Sequence, residues 1–557
     1  MPTLQFKGRN IIWNHHLSVP YHALDEVEKL SVNPKKEDDN LLIEGDNLLA
    51  LKALLPTYGG KVDCIYIDPP YNTGNEDWIY NDNVNNPMIA EWIGKAVGKE
   101  DLTRHDKWMC MMVPRLQLLK ELLHPKGLIF ISIDNNEIHR LRSLMDGIFG
   151  EENLVGEIAN INNPKGRSDD KYIPTAHEYL LVYKNIEEPI LYGWKPDVNV
   201  TKRYRKVDKD GKRWREIDLR KTGDNDLRED RQNLFYYFLY SEKNKQFYPT
   251  REDKNPRGFI QIKPLREDGR EGNWRWEQET AEEKIKSLFP KFMPNRKVWS
   301  VFEKDYLQQD ERIKPTSAWT KKAFNSERGT EQFIELGFEK DDFPKPKPVG
   351  LLRHILEFAC DKNSTILDSF AGSGTTGHAI MDLNKEDAGK RKFILVQMTE
   401  STPEEPKKNI CKEITRERLK RAIEKYGYDA GFKYLRVGTP LDPETMLSGK
   451  LPKYEQFAKY IYYLCTGENL QNEKNISEKE YFVGQHGNNV IHLIYKQDFE
   501  QLTHLALNLE LAEQFRKAHP KRRLVVYAPA CFLSEEDLEE FQIDFVGIPY
   551  DLFQRNS

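Results

Sequence analysis

The sequence predicts an α/β protein: a parallel sheet flanked by helices, interrupted by one long insert and followed by a smaller α/β unit. Three observations carry that prediction. Residues 1–185 alternate short apolar, strand-like runs with helical stretches, as a parallel sheet requires. From about 185 to 340 the alternation is lost, and six of the ten tryptophans (194, 214, 274, 276, 299 and 319) crowd there. Beyond 340 strands and helices alternate again. Four segments are therefore expected: 1–185, 186–340, 341–428 and 429–557.

Each element has a local reason. Leu41–Ile43 is a short strand ending in Glu44-Gly45-Asp46, followed by the helical pattern Asn47–Leu55. Val62–Ile67 is a second strand running into Asp68-Pro69-Pro70-Tyr71. Arg115–Leu123 reads as a helix, Gly127–Ile133 as a strand, Ile138–Phe149 as an amphipathic helix and His177–Tyr183 as a strand. After the insert come helix Gly350–Cys360, strand Thr365–Leu367, a glycine-rich turn, helix Thr376–Asn384 and strand Phe393–Gln397. Ser401–Pro406 is an acidic loop before the helix Ile410–Tyr426. The last unit has strands Val490–Tyr495, Leu524–Tyr527 and Phe545–Gly547, with a helix over Leu502–Phe515.

Composition narrows the class. At 557 residues the chain is too long for one ordinary domain, and 26 Phe, 26 Tyr and 10 Trp can fill several cores. No run of about 18 apolar residues is present, and the first ten residues lack a basic-then-apolar signal segment, so a cytoplasmic protein is expected. Six cysteines are scattered without a CxxC pair, which argues against zinc and fits core thiols in a reducing compartment. A net charge of −5 excludes only a uniformly basic nucleic-acid coat.

Two motifs carry chemistry. Asp68-Pro69-Pro70-Tyr71 follows a buried strand, at the end where α/β sheets bind ligands. Two prolines stiffen the turn and keep the Pro69 carbonyl out of any helix. A carboxylate and a fixed carbonyl supply two acceptors for the two hydrogens of an exocyclic amine, and Tyr71 offers a face for a planar base. A bare Asp-Pro-Pro is more often a capped turn, and the strand before it and the Tyr after it make this tetrapeptide more specific.

Residues Asp368 to Thr376 (DSFAGSGTT) again join a strand to a helix. Glycines there let the backbone approach a ligand, and the helix start presents free N–H groups. A phosphate loop would need Lys after its last glycine, whereas Gly377 is followed by His378. The dinucleotide pattern G-x-G-x-x-G fits residues 372–377, but a structural turn also fits it. A loop for the amino-acid end of a nucleoside cofactor remains.

Together these motifs resemble the amino-group DNA methyltransferases that use S-adenosylmethionine. The glycine-rich motif of that family, D-x-F-x-G-x-G-T, is matched by Asp368, Phe370, Gly372, Gly374 and Thr375, and D-P-P-Y by residues 68–71. Because the catalytic motif precedes the cofactor loop by about 300 residues, the order resembles the permuted group with a target-recognition region between them. Glu44-Gly45-Asp46-Asn47, Tyr71-Asn72-Thr73-Gly74, His177-Glu178-Tyr179 and Lys345–Leu351 are similar to modification subunits of type III restriction–modification systems.

The resemblance implies a Rossmann-like, class I methyltransferase sheet split by a recognition insert, and transfer of methyl from S-adenosylmethionine to N6 of a flipped-out adenine in double-stranded DNA. It implies catalytic roles for Asp68, Pro69, Pro70 and Tyr71, and cofactor contacts from Asp68, Lys347, Asp368, Phe370, Gly372, Gly374 and Thr375. Asp46 either contacts the cofactor's adenine or caps the helix Asn47–Leu55. Ribose hydroxyls fall to Gln397 or to Glu400, because the strand closes on Gln397 where many members carry an acidic residue. His177 is expected to be structural. A homodimer and a separate helicase–nuclease restriction subunit are the implied partners, with 429–557 serving dimerisation or docking.

DNA contact is expected from the insert. Residues 201–222 hold ten Lys/Arg against four Asp/Glu, an excess of +6. The candidates are Lys202, Arg203, Arg205, Lys206, Lys212 and Arg213, with Trp274-Arg275. Two rival readings stay open: methylation of cytosine N4, whose enzymes more often carry Ser in place of Asp68, and a non-catalytic recognition subunit.

Overall fold

The computed structural model describes residues 4–34, 40–73, 103–166, 171–194, 202–307, 312–401 and 407–548. Most of the expected loop 401–406 lies outside them. Strands β1 (His22–Glu26), β2 (Leu41–Glu44), β3 (Val62–Ile67), β4 (Leu123–Ile133), β5 (Leu154–Asn160) and β6 (Glu178–Lys184) precede the insert. The insert carries β7 (Lys206–Val207), β8 (Arg213–Asp218), β9 (Tyr237–Tyr240), β10 (Phe247–Thr250), β11 (Ile260–Ile262), β12 (Leu288–Met293) and β13 (Val298–Tyr306). Then follow β14 (Ala318–Trp319), β15 (Thr365–Asp368), β16 (Lys392–Gln397) and β17 (Lys433–Pro440). The C-terminal strands are β18 (Phe482–His486), β19 (Asn489–Leu493), β20 (Arg523–Ala528) and β21 (Ile543–Gly547).

Ten strands form one sheet in the order β1-β17-β2-β16-β15-β3-β4-β6-β5-β14. Its centre reads as continuous apolar runs because helices cover both faces, and Cys64, Ile65, Ile67, Ile129, Phe130 and Ile394 are all fully buried. The expected parallel sheet is in fact mixed. β6 runs antiparallel to both β4 and β5, and β1 antiparallel to β17. The reversal has a consequence for the site: β6 begins where β4 ends, with Tyr179 opposite Ile133.

Helix boundaries moved where burial extends further than periodicity suggests. The helix expected over 115–123 starts at Arg104, because Trp108–Val113 also pack into the core. The stretch 502–515 breaks into Phe499–Thr503 and Leu509–Ala518, with the Asn508 side chain capping the second by accepting from Leu511 N at 3.0 Å. The helix before β17 opens with a π turn, Cys411–Arg416, which leads into Glu417–Tyr426.

Two compact units emerge. One is Trp194–Lys314, narrower than the expected 186–340, since β14 and the helix Ser326–Glu335 belong with the large sheet. This unit holds two small antiparallel sheets, β10-β9-β11 and β12-β13-β8-β7, around Leu219, Tyr236, Phe238, Ile262, Trp274 and Val301. The other comprises 1–193 and 315–557. In it, β17 belongs to the large sheet, so the segment after 428 is not separate from its first residue. The sheet β18-β19-β20-β21 has its own core, and Asn469 Nδ2 ties this region to the Leu55 carbonyl at 2.7 Å.

Candidate active site

β3 and β15 are neighbours, parallel, with Ile65 opposite Leu367. Asp68 and Asp368 therefore emerge side by side at the carboxyl ends of adjacent strands, although 300 residues separate them. From this pair the chain runs outward in opposite directions, β3 to β4 on one side and β15 to β16 on the other. Such a switch point leaves a crevice at the strand ends, where α/β sheets take ligands.

A charge network fills the Asp68 side of this crevice. Lys347 Nζ lies 2.8 Å from Glu178 Oε2, 3.2 Å from Asp68 Oδ1 and 2.6 Å from Tyr71 Oη. Tyr71 Oη in turn donates to Glu178 Oε2 at 3.0 Å, and Asn160 Nδ2 to Glu178 Oε1 at 3.1 Å. Burial opposes the charge on Lys347, but Asp68 and then Glu178 outweigh it and hold the ammonium's pKa above its ordinary value. Asp68 is itself pushed up, first by burial, with Lys347 pulling down and Glu178 pushing up. Its Oδ1 is buried and has no aligned hydrogen-bond donor. Lys347 and the Tyr71 hydroxyl both favour the ionised form of Asp68 against its burial.

The turn is fixed from behind. Trp108 Nε1 donates to the Pro70 carbonyl at 2.7 Å. Asn72 sits at φ 55° and its Nδ2 donates to Glu137 Oε1 at 2.5 Å; His105 Nδ1 pairs with the same carboxylate. Glu137 is fully buried. A left-handed Asn, held by a buried acceptor, is how the chain leaves the double proline.

The glycine loop is equally constrained. Asp368 Oδ1 accepts from Phe370 N at 3.0 Å and Oδ2 from Thr376 Oγ1 at 2.5 Å; burial pushes its pKa up to about 7. Gly372 (φ 52°) and Gly374 (φ 83°) lie in the left-handed region. A Cβ would come 3.1 Å from Phe343 Cζ at the first and 3.1 Å from Thr415 Cγ2 at the second. Gln397 Oε1 accepts from Gly372 N at 2.7 Å, while its Nε2 donates to Glu400 Oε1 at 2.9 Å. Gln397 thus joins Glu400 to the glycine loop. Arg418, fully buried and pulled down to about 9 by burial, donates to Ser373 Oγ at 2.6 Å and Thr375 Oγ1 at 2.7 Å.

These features fit the nucleoside cofactor that the sequence implies. Two left-handed glycines, each with little space for a Cβ, open the backbone at the start of the helix Thr375–Asp387. Asp368, Phe370, Gly372, Gly374 and Thr375 would line its amino-acid end, and Gln397 with Glu400 would close the ribose end. Asp46 caps its helix, accepting from Leu48 N at 2.8 Å and facing Arg115 Nη2 at 3.5 Å. Lys347 lies with the Asp68–Tyr71 turn, and its carbonyl accepts from Thr375 Oγ1 at 3.1 Å, which links the two motifs.

In the insert, Lys202, Arg203, Arg205, Lys206, Lys212 and Arg213 are exposed. Lys206 pairs with Glu216 and lies over the Trp214 ring at 5.0 Å. Trp274 is a correction: its side chain is fully buried in the insert's core, with Nε1 bonded to the Tyr236 carbonyl at 2.8 Å. Arg275 is exposed but engaged with Glu303 at 2.5 Å. A cleft of about 660 Å³ opens beside it, lined by Arg231, Gln232, Asn233 and Trp276 among others. Glu137, Asn160, Trp108 and Arg418 were not singled out by sequence. Only Glu178 carried a signal, inside His177-Glu178-Tyr179. His177 itself packs its ring edge-on against Tyr179 at 5.0 Å.

Comparison with known proteins agrees with this geometry. The DNA methylase family matches residues 62–425. The type II methyltransferase M.KpnI of Klebsiella pneumoniae is 36% identical over 376 residues, which is 67% of this chain and 84% of that protein. The Mod subunit of the type III enzyme EcoPI of Escherichia phage P1 is 33% identical over 382 residues, 66% of this chain and 58% of that one. The StyLTI Mod subunit of Salmonella typhimurium is 31% identical over 450 residues, 74% and 63% of the two chains. This chain thus spans about three fifths of either Mod subunit. With a matched family covering both motifs and the sheet between them, the chain belongs to the DNA methylases, methyltransferases that draw on S-adenosylmethionine.

Proposed function

We propose that this protein methylates N6 of adenine at a short specific sequence in double-stranded DNA, as the modification subunit of a type III restriction–modification system. The observation that carries the proposal is Asp68, at the head of the tetrapeptide, one strand from the glycine loop and neutralised by Lys347. S-adenosylmethionine supplies a methyl group already activated on a sulfonium. The residues of this chain supply position and charge. Asp68 and the Pro69 carbonyl accept the two amine hydrogens, which draws the nitrogen lone pair out of conjugation and stabilises the positive charge that develops on it. Tyr71, pinned through its hydroxyl, offers its ring to the flipped base, a contact worth about 1–3 kcal/mol.

Nucleoside mass spectrometry after incubation with DNA and S-adenosylmethionine tests the base. N4-methylcytosine without N6-methyladenine would overturn the adenine assignment. Asp68→Ala should abolish methyl transfer while DNA binding persists, and surviving transfer would remove Asp68 from catalysis. The insert Trp194–Lys314 is proposed to read the target, and the region after β17 to serve a homodimer or a restriction subunit. Light scattering on the purified protein, alone and with that subunit, tests the assembly. A second reading is favoured by the 84% coverage of a type II methyltransferase: an enzyme that works with no restriction subunit bound. Sequencing of modified bases with the gene present and absent separates the two by the strand pattern of methylation.

A further inference from the structure

The excursion between β5 and β6 leaves and re-enters the sheet at the edge that carries Asp68, because β6 starts where β4 ends. Its root is braced. Asn163 N donates to the Ala176 carbonyl at 3.1 Å, and Asn163 Nδ2 to the Gly166 carbonyl at 2.9 Å. Gly166 has φ 74°, and a Cβ there would fall 2.4 Å from Pro174 Cβ, so the two arms touch. Beyond the brace stand Tyr172 and Ile173, each 83% exposed, the most exposed large apolar side chains among the described residues. Lys171 Nζ lies 5.1 Å from the Tyr172 ring centre. Five residues past Ile173, Glu178 holds Tyr71 and Lys347.

Two adjacent large apolar side chains kept in water at the rim of a site call for a partner that covers them. Residues 165–173 carry three basic and two acidic side chains, so charge alone does not define that partner. A DNA duplex that releases a base does: the vacated step is an apolar slot between stacked bases, of the kind that Ile and aromatic wedges enter. We propose that Tyr172 and Ile173 form an insertion wedge that enters the stack beside the target base and holds the duplex open while that base occupies the Tyr71 pocket. The proposal rests on the DNA-methyltransferase reading and extends it to a second DNA contact, outside the insert.

The test uses the full-length protein and two duplexes of its target sequence, one matched and one with an abasic site opposite the target base. Tyr172→Ala with Ile173→Ala should lower kcat/KM about 10- to 100-fold on the matched duplex, and stay within about threefold of wild type on the abasic one, where extrusion is nearly free. Tyr172→Phe alone should behave like wild type, since the ring face and not the hydroxyl is needed. 2-Aminopurine at the target position reports extrusion independently of methyl transfer: its fluorescence should rise on binding the wild type and not the double variant. Equal losses on both duplexes, or no loss on either, overturn the wedge. If the wild type extrudes 2-aminopurine through Tyr172 but methylates nothing, the wedge stands and the methyltransferase reading falls.

Discussion

Lys347→Met should move the acid limb of activity toward higher pH. Among the described residues the ammonium is the cation facing both Asp68, at 3.2 Å, and Glu178, at 2.8 Å, and it also meets the Tyr71 hydroxyl at 2.6 Å. At an effective dielectric near 20, a unit pair 3.2 Å apart is worth about 5 kcal/mol. The Asp68 side chain keeps 27% of its surface, so solvent screens the pair, and roughly half of that, about 2–3 kcal/mol, is the share to assign. Removing the cation leaves burial and Glu178 pushing Asp68 up, with the Tyr71 hydrogen bond still pulling it down. In the proposed mechanism an ionised Asp68 accepts the amine hydrogens, so activity should be lost as pH falls through its pKa, and a higher pKa should lose it sooner. The limb should rise by about two pH units, with the loss relative to wild type greatest at the acid end and shrinking as pH rises. The assay is transfer of labelled methyl to target DNA across that range, with cofactor affinity measured in parallel. An unmoved acid limb, or an equal loss at every pH with unchanged cofactor binding, would refute this account of Lys347.

Other predictions follow from the glycine loop. Gly374→Ala should weaken S-adenosylmethionine binding at least about tenfold by calorimetry, because its φ of 83° and the Thr415 contact at 3.1 Å both oppose a Cβ. Gly427→Ala, with φ 61° but open space around it, should cost stability and leave that affinity unchanged. Asp368, pushed up to about 7 by burial, keeps its proton in the native state longer than in the unfolded chain. Its contribution is therefore full below about pH 4 and is lost as pH rises toward 7, an effect on the order of 4 kcal/mol. Asp368→Asn has no such slope, so the wild type's urea midpoint should fall relative to the variant's between about pH 5 and pH 8; parallel midpoints would remove the assignment.

What could be read in the sequence follows from where the information lies. Asp68–Tyr71 and Asp368–Thr376 are contiguous, and their chemistry is dense enough to be legible without a fold. Glu178, Asn160 and Glu137 are single polar residues on other strands and helices, and the reversed direction of β6 brings Glu178 to Tyr71 with Asn160 against it. Sequence periodicity does not record strand direction, so a mixed sheet reads as a parallel one. Trp274 fails for a related reason. Aromatic residues interleaved with arginines fit a nucleic-acid surface and a small β-core equally, and the choice turns on Phe238 of β9 and Tyr236 just before it, which enclose the indole. Asp46 caps its helix and Gln397 bonds Glu400, contacts between residues far enough apart in local pattern that the sequence alone does not show them.

The order of the motifs along the chain matters little to the chemistry, and the sheet explains why. β3 and β15 need only be neighbours for Asp68 and Asp368 to share an edge, whichever comes first. That freedom also bears on the insert. Trp194 and Ile313 pair backbone to backbone, Trp194 N to the Ile313 carbonyl at 2.9 Å and the reverse at 2.9 Å, so the unit Trp194–Lys314 starts and ends at one point. A closed excursion of this kind imposes no distance on the strands either side of it, and the added loop length raises the closure cost only logarithmically. If the insert reads the DNA as proposed, its side chains can therefore change with the target, while the Lys347–Glu178–Tyr71 network, built wholly on the large sheet's unit, keeps its geometry. Exchange of 194–314 for the equivalent segment of a relative should then change the methylated sequence without changing the methylated atom, and a chimera that loses methyl transfer despite intact cofactor binding would contradict that separation.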